Sequence, residues 1–232
     1  MPPQPLSSVK SSAVVKWGGD AFEKHPELSV LVVRCIAGWA HAEGFMRELL
    51  VRMLGARAEP AAKMYAALSS AQAQFSVLQA AARCTLRTPH LEMFEAIISL
   101  ARRTARARHR LAHDLWCYSD DIPDAMLLLE ATAAFNFTIE KNQFLQNGSV
   151  LAAMLQGQKA PTFPTDRVYV YREKDLAEIL NEIFQVQNYL AQFQNVATPD
   201  SPTAASSYSE LLLEPRIQEA LARQSKKSGS DQ

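Results

Sequence analysis

The feature that most constrains the fold is a long apolar repeat after Pro26. Apolar side chains recur there at alternating steps of four and three residues, an arrangement that places them along one stripe of an α-helix. They are Leu28, Val32, Cys35, Trp39, Ala42, Met46, Leu49 and Met53. Helices with such a stripe pack against other helices. The segment therefore predicts a long helix that ends at Gly55, a residue typical of the position after a helix.

Three later segments repeat the pattern and predict three more long helices. The second begins at Pro60, the third follows Thr88-Pro89, and the fourth runs from about Glu173 to Phe193. Their inward positions are Met64, Leu68, Ala71, Phe75, Leu78 and Ala82; then Leu91, Phe94, Ile98, Ala101, Ala105, Arg108 and Ala112; then Leu176, Ile179, Leu180, Ile183, Phe184 and Leu190. Threonine before proline is a typical helix start. We therefore expect a mainly α fold, an antiparallel four-helix bundle.

The segment between the third and fourth helices lacks this period and predicts a small β insertion at about 118–172. Phe135, Phe137 and Ile139 alternate with polar residues, and Val168–Tyr171 shows a similar alternation, a pattern typical of strands. Residues 147–166 are rich in glycine, proline and polar residues, which predicts a loop with one helical turn near Leu151.

These segments suggest three regions. Residues 1–26 are expected to be disordered or extended, 27–195 to form the bundle with its insertion, and 196–232 to comprise a linker, a short helix around Leu211–Arg223 and a polar tail. The start resembles no secretory leader, and no uncharged apolar run is long enough to span a membrane, so we expect a cytoplasmic protein without membrane contact. Three cysteines without ligand-like spacing predict reduced core thiols.

The charges are unevenly distributed although the net charge is zero. From Arg83 to His113 there are seven Arg and two Glu, whereas Asp114 to Glu140 contains four Asp, two Glu and no Lys or Arg. A basic block thus meets an acidic block at residue 113. This distribution predicts an electropositive patch at the end of the third helix.

Within the basic block, Arg108 falls on the inward stripe of the third helix. An unpaired buried guanidinium costs several kcal/mol. A carboxylate could pair with it, Glu43 on the first helix being the candidate, or Arg108 could face a second subunit or a ligand anion. An arginine that extends to solvent at the end of the bundle is an equal alternative.

The string Arg108-His-Arg-Leu-Ala-His113 resembles the signature of the HEPN superfamily, a group of small helical bundles. In that signature an arginine is followed directly by a polar residue, and four to six residues separate the arginine from a histidine. The resemblance implies a metal-independent ribonuclease without cofactors: His113 as general acid/base, Arg108 holding the phosphate and His109 orienting the site. Residues Arg102, Arg103, Arg106 and Arg110 would grip flanking phosphates of RNA. Family members serve in toxin–antitoxin and phage-defence systems, so an antitoxin or another protein partner is also implied.

Helix geometry adds a condition. Five residues on one straight helix separate Arg108 and His113 by roughly 140° around its axis. They can share one phosphate only if the helix ends or bends between them, or if a second copy supplies one of them. Since HEPN enzymes generally build composite sites at a dimer interface, the resemblance implies a homodimer.

Several alternatives remain open. Looser spacing also matches Arg34–His41, Arg83–His90, Arg102–His109, Arg103–His109 and Arg106–His113. His109 and His113 have the spacing of a zinc-binding pair, but no glutamate follows His109 and no third ligand is evident, so we expect no metal. The main rival function is a catalytically inactive bundle that binds RNA or protein.

Overall fold

A computed structural model describes residues 3–18, 20–55, 58–146, 160–198 and 200–228. This part of the chain is mainly helical with a small antiparallel sheet. The helices are α1 (Leu6–Lys10), α2 (Asp20–Lys24), α3 (Pro26–Leu54), α4 (Ala58–Ala66), α5 (Ala71–Thr85), α6 (His90–His113), α7 (Ala131–Gln146), α8 (Glu173–Ala197), α9 (Ala204–Leu213) and α10 (Pro215–Ser228). The strands are β1 (Gln4–Pro5), β2 (Lys16–Trp17), β3 (Leu115–Tyr118), β4 (Met126–Leu129) and β5 (Val168–Tyr171). The turn predicted near Leu151 lies outside the described residues.

The prediction for the first long helix is confirmed. All eight residues of the apolar stripe in α3 are buried, and Gly55 follows the helix with a φ of 74°, a conformation that favours glycine. Among the described helices, α3 is also the one whose length and composition would allow it to span a membrane, a test that the core helix of a soluble protein passes equally.

The prediction of a single second long helix is wrong, because this segment is divided into α4 and α5. The hydroxyl of Ser70 accepts a hydrogen bond from the backbone N–H of Ala73 at 3.1 Å and so caps a new helix start. The apolar steps of four and three residues continue across this break, so the periodicity of the sequence could not reveal it.

The other two predicted helices correspond to α6 and α8, although Phe184 of α8 is 43% exposed and does not point inward.

A small antiparallel sheet is present, but its strands differ from those predicted for the β insertion. Residues 135–140 belong to helix α7, where Phe135 is 65% exposed, so the predicted strand is wrong there. The strand that the sequence pattern did not predict is β4, whose four residues are all buried. It follows the Asp120–Asp124 turn as an uninterrupted apolar run, which has no period of two to reveal it.

The sheet has the order β1-β5-β4-β3-β2, with every neighbouring pair antiparallel. Two of its strands come from the N-terminal segment, which was expected to be disordered or extended. Instead, this segment contains the helices α1 and α2, and Leu6 is fully buried in a core with Leu127, Leu129 and Val170. The burial of Leu6 and the pairing of β1 with β5 explain why a proline-rich start is ordered.

The C-terminal region contains two helices, α9 and α10, in place of the predicted short helix around Leu211–Arg223. Leu211 and Ile217, one from each helix, are fully buried. Pro215 is the first residue of α10, and because proline lacks a backbone N–H it begins a helix more readily than it continues one.

The chain divides into two compact units. The first comprises the described parts of Met1–Arg34 and His109–Glu178 and contains the sheet. The second comprises the described parts of Cys35–Arg108 and Ile179–Gln232 and is helical. In the second unit, α3 and α8 approach closely at Gly38, where a Cβ would lie 3.2 Å from Ile183 Cγ2.

The cysteines agree only partly with the prediction of core thiols. Cys35 and Cys117 are free and buried, whereas Cys84 is free and exposed. Burial raises the pKa of the Cys117 thiol to about 12, so this thiol is protonated and unreactive at neutral pH.

Candidate nucleic-acid site on helix α6

Helix α6 carries all the predicted site residues except Glu43, and it is uninterrupted from His90 to His113. The N–H of Asp114 donates to the carbonyl of Arg110 at 2.9 Å, so regular helical bonding extends past His113. At 100° per residue, Arg108 and His113 therefore stand about 140° apart around the axis. The same geometry places Arg106, His109 and His113 within about 60° of one another. One face of α6 thus presents two imidazoles and a guanidinium.

The two histidines are neighbours. His109 and His113 are both exposed, and their ring centroids are 4.4 Å apart with an interplanar angle of 41°. Two solvent-accessible imidazoles at this distance can exchange protons with the same bound group. The spacing of four residues in a continuous helix is what brings them together.

Arg108 differs from both histidines in its burial. It is half-buried, and its Nε atom is buried without a hydrogen-bond partner among the described residues. The predicted partner does not pair with it, because Glu43 instead accepts a hydrogen bond from the indole N–H of Trp39 at 2.8 Å. Arg108 is thus a partly buried cation without a carboxylate within the described part of the chain.

Three of the four arginines expected to grip RNA are held by other side chains. Arg102 donates to Gln79 Oε1 at 2.8 Å and lies over the Phe75 ring, with Cζ 5.3 Å from its centroid. Arg103 forms an ion pair with Glu182 at 3.2 Å. These partners come from distant sequence positions, so no local pattern could reveal them.

Arg106 is the exception in this group. It is exposed, and within the described ranges it has no ion pair or hydrogen bond. It shares its face of α6 with the two histidines. Arg106 is therefore the basic residue on this face that is most available to an anionic ligand.

The last predicted RNA contact, Arg110, is part of a network within the first unit. Its guanidinium lies over the Tyr169 ring, with Cζ 4.0 Å from the centroid, and its Nε is 3.5 Å from an oxygen of Asp114. The other oxygen of Asp114 accepts the backbone N–H of Ala131, the first residue of α7, at 3.2 Å. The tyrosine Tyr171 is also near, and burial raises its pKa to about 12. This network joins the end of α6 to the start of α7 and to β5.

We expect Asp114→Ala to destabilise the protein by about 1–2 kcal/mol. The change removes the acceptor for the first N–H of α7 and leaves Arg110 with an unpaired charge. Urea unfolding followed by circular dichroism measures this loss. The exposed Asp166→Ala, also on the first unit, is the matched control and should change the midpoint little; equal shifts in both variants would contradict this role of Asp114.

No group of three or more His, Cys, Asp or Glu side chains that could hold a metal ion occurs within the described residues. The arrangement on α6 therefore consists of two adjacent imidazoles, one accessible guanidinium, and a second guanidinium on another side of the helix.

Comparison of the chain with protein-family models, with curated proteins and with solved structures finds no match.

Proposed function

We propose that this protein is a metal-independent endoribonuclease of the HEPN type, built on an antiparallel four-helix bundle with a β insertion. The observation that supports the proposal best is the pair of exposed imidazoles, His109 and His113, on a helix face that also carries the unpaired Arg106. Imidazoles transfer protons near neutral pH, and guanidinium groups bind phosphate through paired hydrogen bonds. RNA cleavage by an internal hydroxyl requires these two functions and no metal.

The proposed reaction is attack of a ribose 2′-hydroxyl on the adjacent phosphorus. A new O–P bond forms, the P–O5′ bond breaks, and the products are a 2′,3′-cyclic phosphate and a free 5′-hydroxyl. The neutral His113 imidazole accepts the proton of the attacking hydroxyl, and the protonated ring then donates a proton to the leaving 5′-oxygen. We assign His113 the role of general acid/base, and His109 orients the site beside it.

Two arginines are candidates for holding the phosphate. Arg106 shares the histidine face of α6 within one chain, whereas Arg108 lies about 140° from His113. Arg108 therefore acts on the same phosphate only when a second copy of the chain contributes it. We propose the homodimer for this reason, since a partly buried cation without a carboxylate suits an interface that receives an anion.

The biological setting follows from the same proposal. The protein would act in the cytoplasm on RNA, in a toxin–antitoxin or phage-defence system, with an antitoxin or another protein restraining it. The alternative function is a catalytically inactive module that binds RNA or protein. It is favoured by the internal partners of Arg102, Arg103 and Arg110, which leave fewer free cations than the sequence suggests.

The test is incubation of the purified protein with a mixed RNA pool in EDTA, followed by analysis of the product ends. We expect cyclic-phosphate ends, and a loss of cleavage in Arg106→Ala or Arg108→Ala that is absent in Arg83→Ala. Arg83 is a suitable control because it is a highly exposed arginine with only a long ion pair, 3.6 Å, to Glu95. Intact RNA with retained, salt-sensitive RNA binding would support the inactive module instead.

Mixing two inactive variants tests whether the site is composite. If Arg108 of one copy acts with His113 of the other, a mixture of Arg108→Ala and His113→Ala chains forms heterodimers with one intact site. Random exchange should then restore about one quarter of the wild-type activity. A mixture that stays inactive, while Arg106→Ala alone abolishes cleavage, would place the phosphate-binding arginine in the same chain as His113.

A further inference from the structure

The adjacent imidazoles on α6 can bind more than a proton. We propose that His109 and His113 together form a reversible binding site for a divalent ion of the zinc class, and that the bound ion inhibits cleavage. The inhibitory part rests on the proposed nuclease function, whereas the binding part does not. Neither the pairing of two rings nor their exposure depends on what the protein does with RNA.

The geometry of the pair suits a single ion. Zinc binds histidine nitrogen at about 2.0–2.1 Å in tetrahedral geometry, which places the ring centroids of two bound imidazoles about 5 Å apart. The observed separation of the two centroids is 4.4 Å, so the rings need to move apart by less than about 1 Å to share one ion. Because both side chains are exposed, small rotations of the rings can direct one nitrogen of each toward a shared ion without disturbing the core.

Two protein ligands are enough for a reversible site. The pair has no third protein ligand in the part of the chain that the structure describes, where no group of three or more His, Cys, Asp or Glu side chains could hold a metal ion. Water molecules would fill the remaining positions of a tetrahedral ion, as one does in catalytic zinc sites. Imidazole is also the side chain that borderline ions such as zinc prefer when thiolates are absent.

The local charge does not prevent binding of a cation. Arg110, which is next to His109 in sequence, has its charge partly compensated by Asp114 at 3.5 Å. Arg106 is exposed, so its repulsion is screened by solvent and salt.

A bound ion would inhibit the proposed reaction directly. A nitrogen of His113 that coordinates zinc can neither accept the proton of the 2′-hydroxyl nor donate one to the leaving oxygen. Occupation of His109 removes the neighbouring ring at the same time. Zinc would therefore act as an off-switch, and EDTA would act as an activator.

The binding test uses tag-free protein that carries Cys84→Ser, since Cys84 is an exposed free thiol that could itself bind zinc. Titration with zinc chloride alone, followed by calorimetry, should show one ion per chain. His109→Ala and His113→Ala should each weaken the affinity at least about tenfold. His41→Ala, which removes an exposed imidazole from α3, should leave it unchanged. Equal affinity in all four proteins would overturn the site.

A second arm separates the site from the nuclease. RNA cleavage that stops when zinc saturates the pair and resumes with EDTA supports inhibition, and cleavage that continues at saturation overturns it. If the protein cleaves no RNA in EDTA, the proposed function fails, yet the titration still decides whether His109 and His113 bind the ion. If cleavage occurs but the titration shows no binding, only the zinc site fails.

Discussion

His113→Ala is expected to reduce RNA cleavage by about 10²–10⁴-fold while the free energy of unfolding changes by less than about 0.5 kcal/mol. The large kinetic effect follows from removal of the group that we propose transfers the proton. The small effect on stability follows from exposure, because the His113 side chain contacts solvent and the ring of His109, and makes no hydrogen bond within the described residues. Single-turnover cleavage and urea unfolding measure the two quantities on the same preparation.

His41→Ala is the matched control for this variant. It removes another exposed histidine from a long helix, and both the cleavage rate and the unfolding midpoint should stay at their wild-type values. If His113→Ala retained the wild-type rate, or if both variants lost it equally, the proton transfer could not be assigned to the histidine pair. A loss of cleavage accompanied by a large loss of stability would indicate a structural role for His113.

The histidine pair also shows how far the sequence could be interpreted. The spacing of four residues was sufficient to place His109 and His113 together, because a continuous helix fixes the positions of its own side chains. The same helical geometry predicted the separation of Arg108 from His113. The long helices α3, α6 and α8 were predictable for a related reason: each buries a stripe whose period is set by the helix alone.

What the sequence could not show depends on contacts between distant residues. Arg102 meets Gln79, and Arg103 meets Glu182, across 23 and 79 positions of the chain. Glu43 was a reasonable partner for Arg108, but the indole of Trp39, one helical turn away, occupies it. Such choices between competing partners depend on packing, which periodicity does not encode.

The predictions for the segments that form helix α7 and strand β4 were wrong for a different reason. The alternation at Phe135, Phe137 and Ile139 has the period of a strand, yet the Asp114 carboxylate caps Ala131 and a helix forms. All four consecutive residues of β4 are buried, and because successive side chains of a strand point to opposite faces, this strand is covered on both faces. A strand of this kind carries an apolar run without alternation. Burial on two sides and a cap from another element are tertiary effects that override local patterns.

The largest loss of stability near the site is expected for Leu111→Ala, at about 2–5 kcal/mol. Leu111 lies on α6 between the two histidines and is 1% exposed, so its truncation leaves a cavity in the first unit. Its carbonyl also accepts a hydrogen bond from the indole N–H of Trp116 at 3.0 Å. Urea unfolding, with the slope of the transition checked for constancy, measures the change.

Leu115→Ala provides the comparison, since Leu115 lies two residues beyond His113 and is 42% exposed. Its loss should stay below about 1 kcal/mol. Leu111 anchors the last turn of α6, and the histidine pair is fixed only as firmly as that turn. Leu111→Ala should therefore also weaken zinc binding, even though neither imidazole is altered. Equal destabilisation by the two leucine variants, or unchanged zinc affinity in Leu111→Ala, would show that the pair does not depend on this buried side chain.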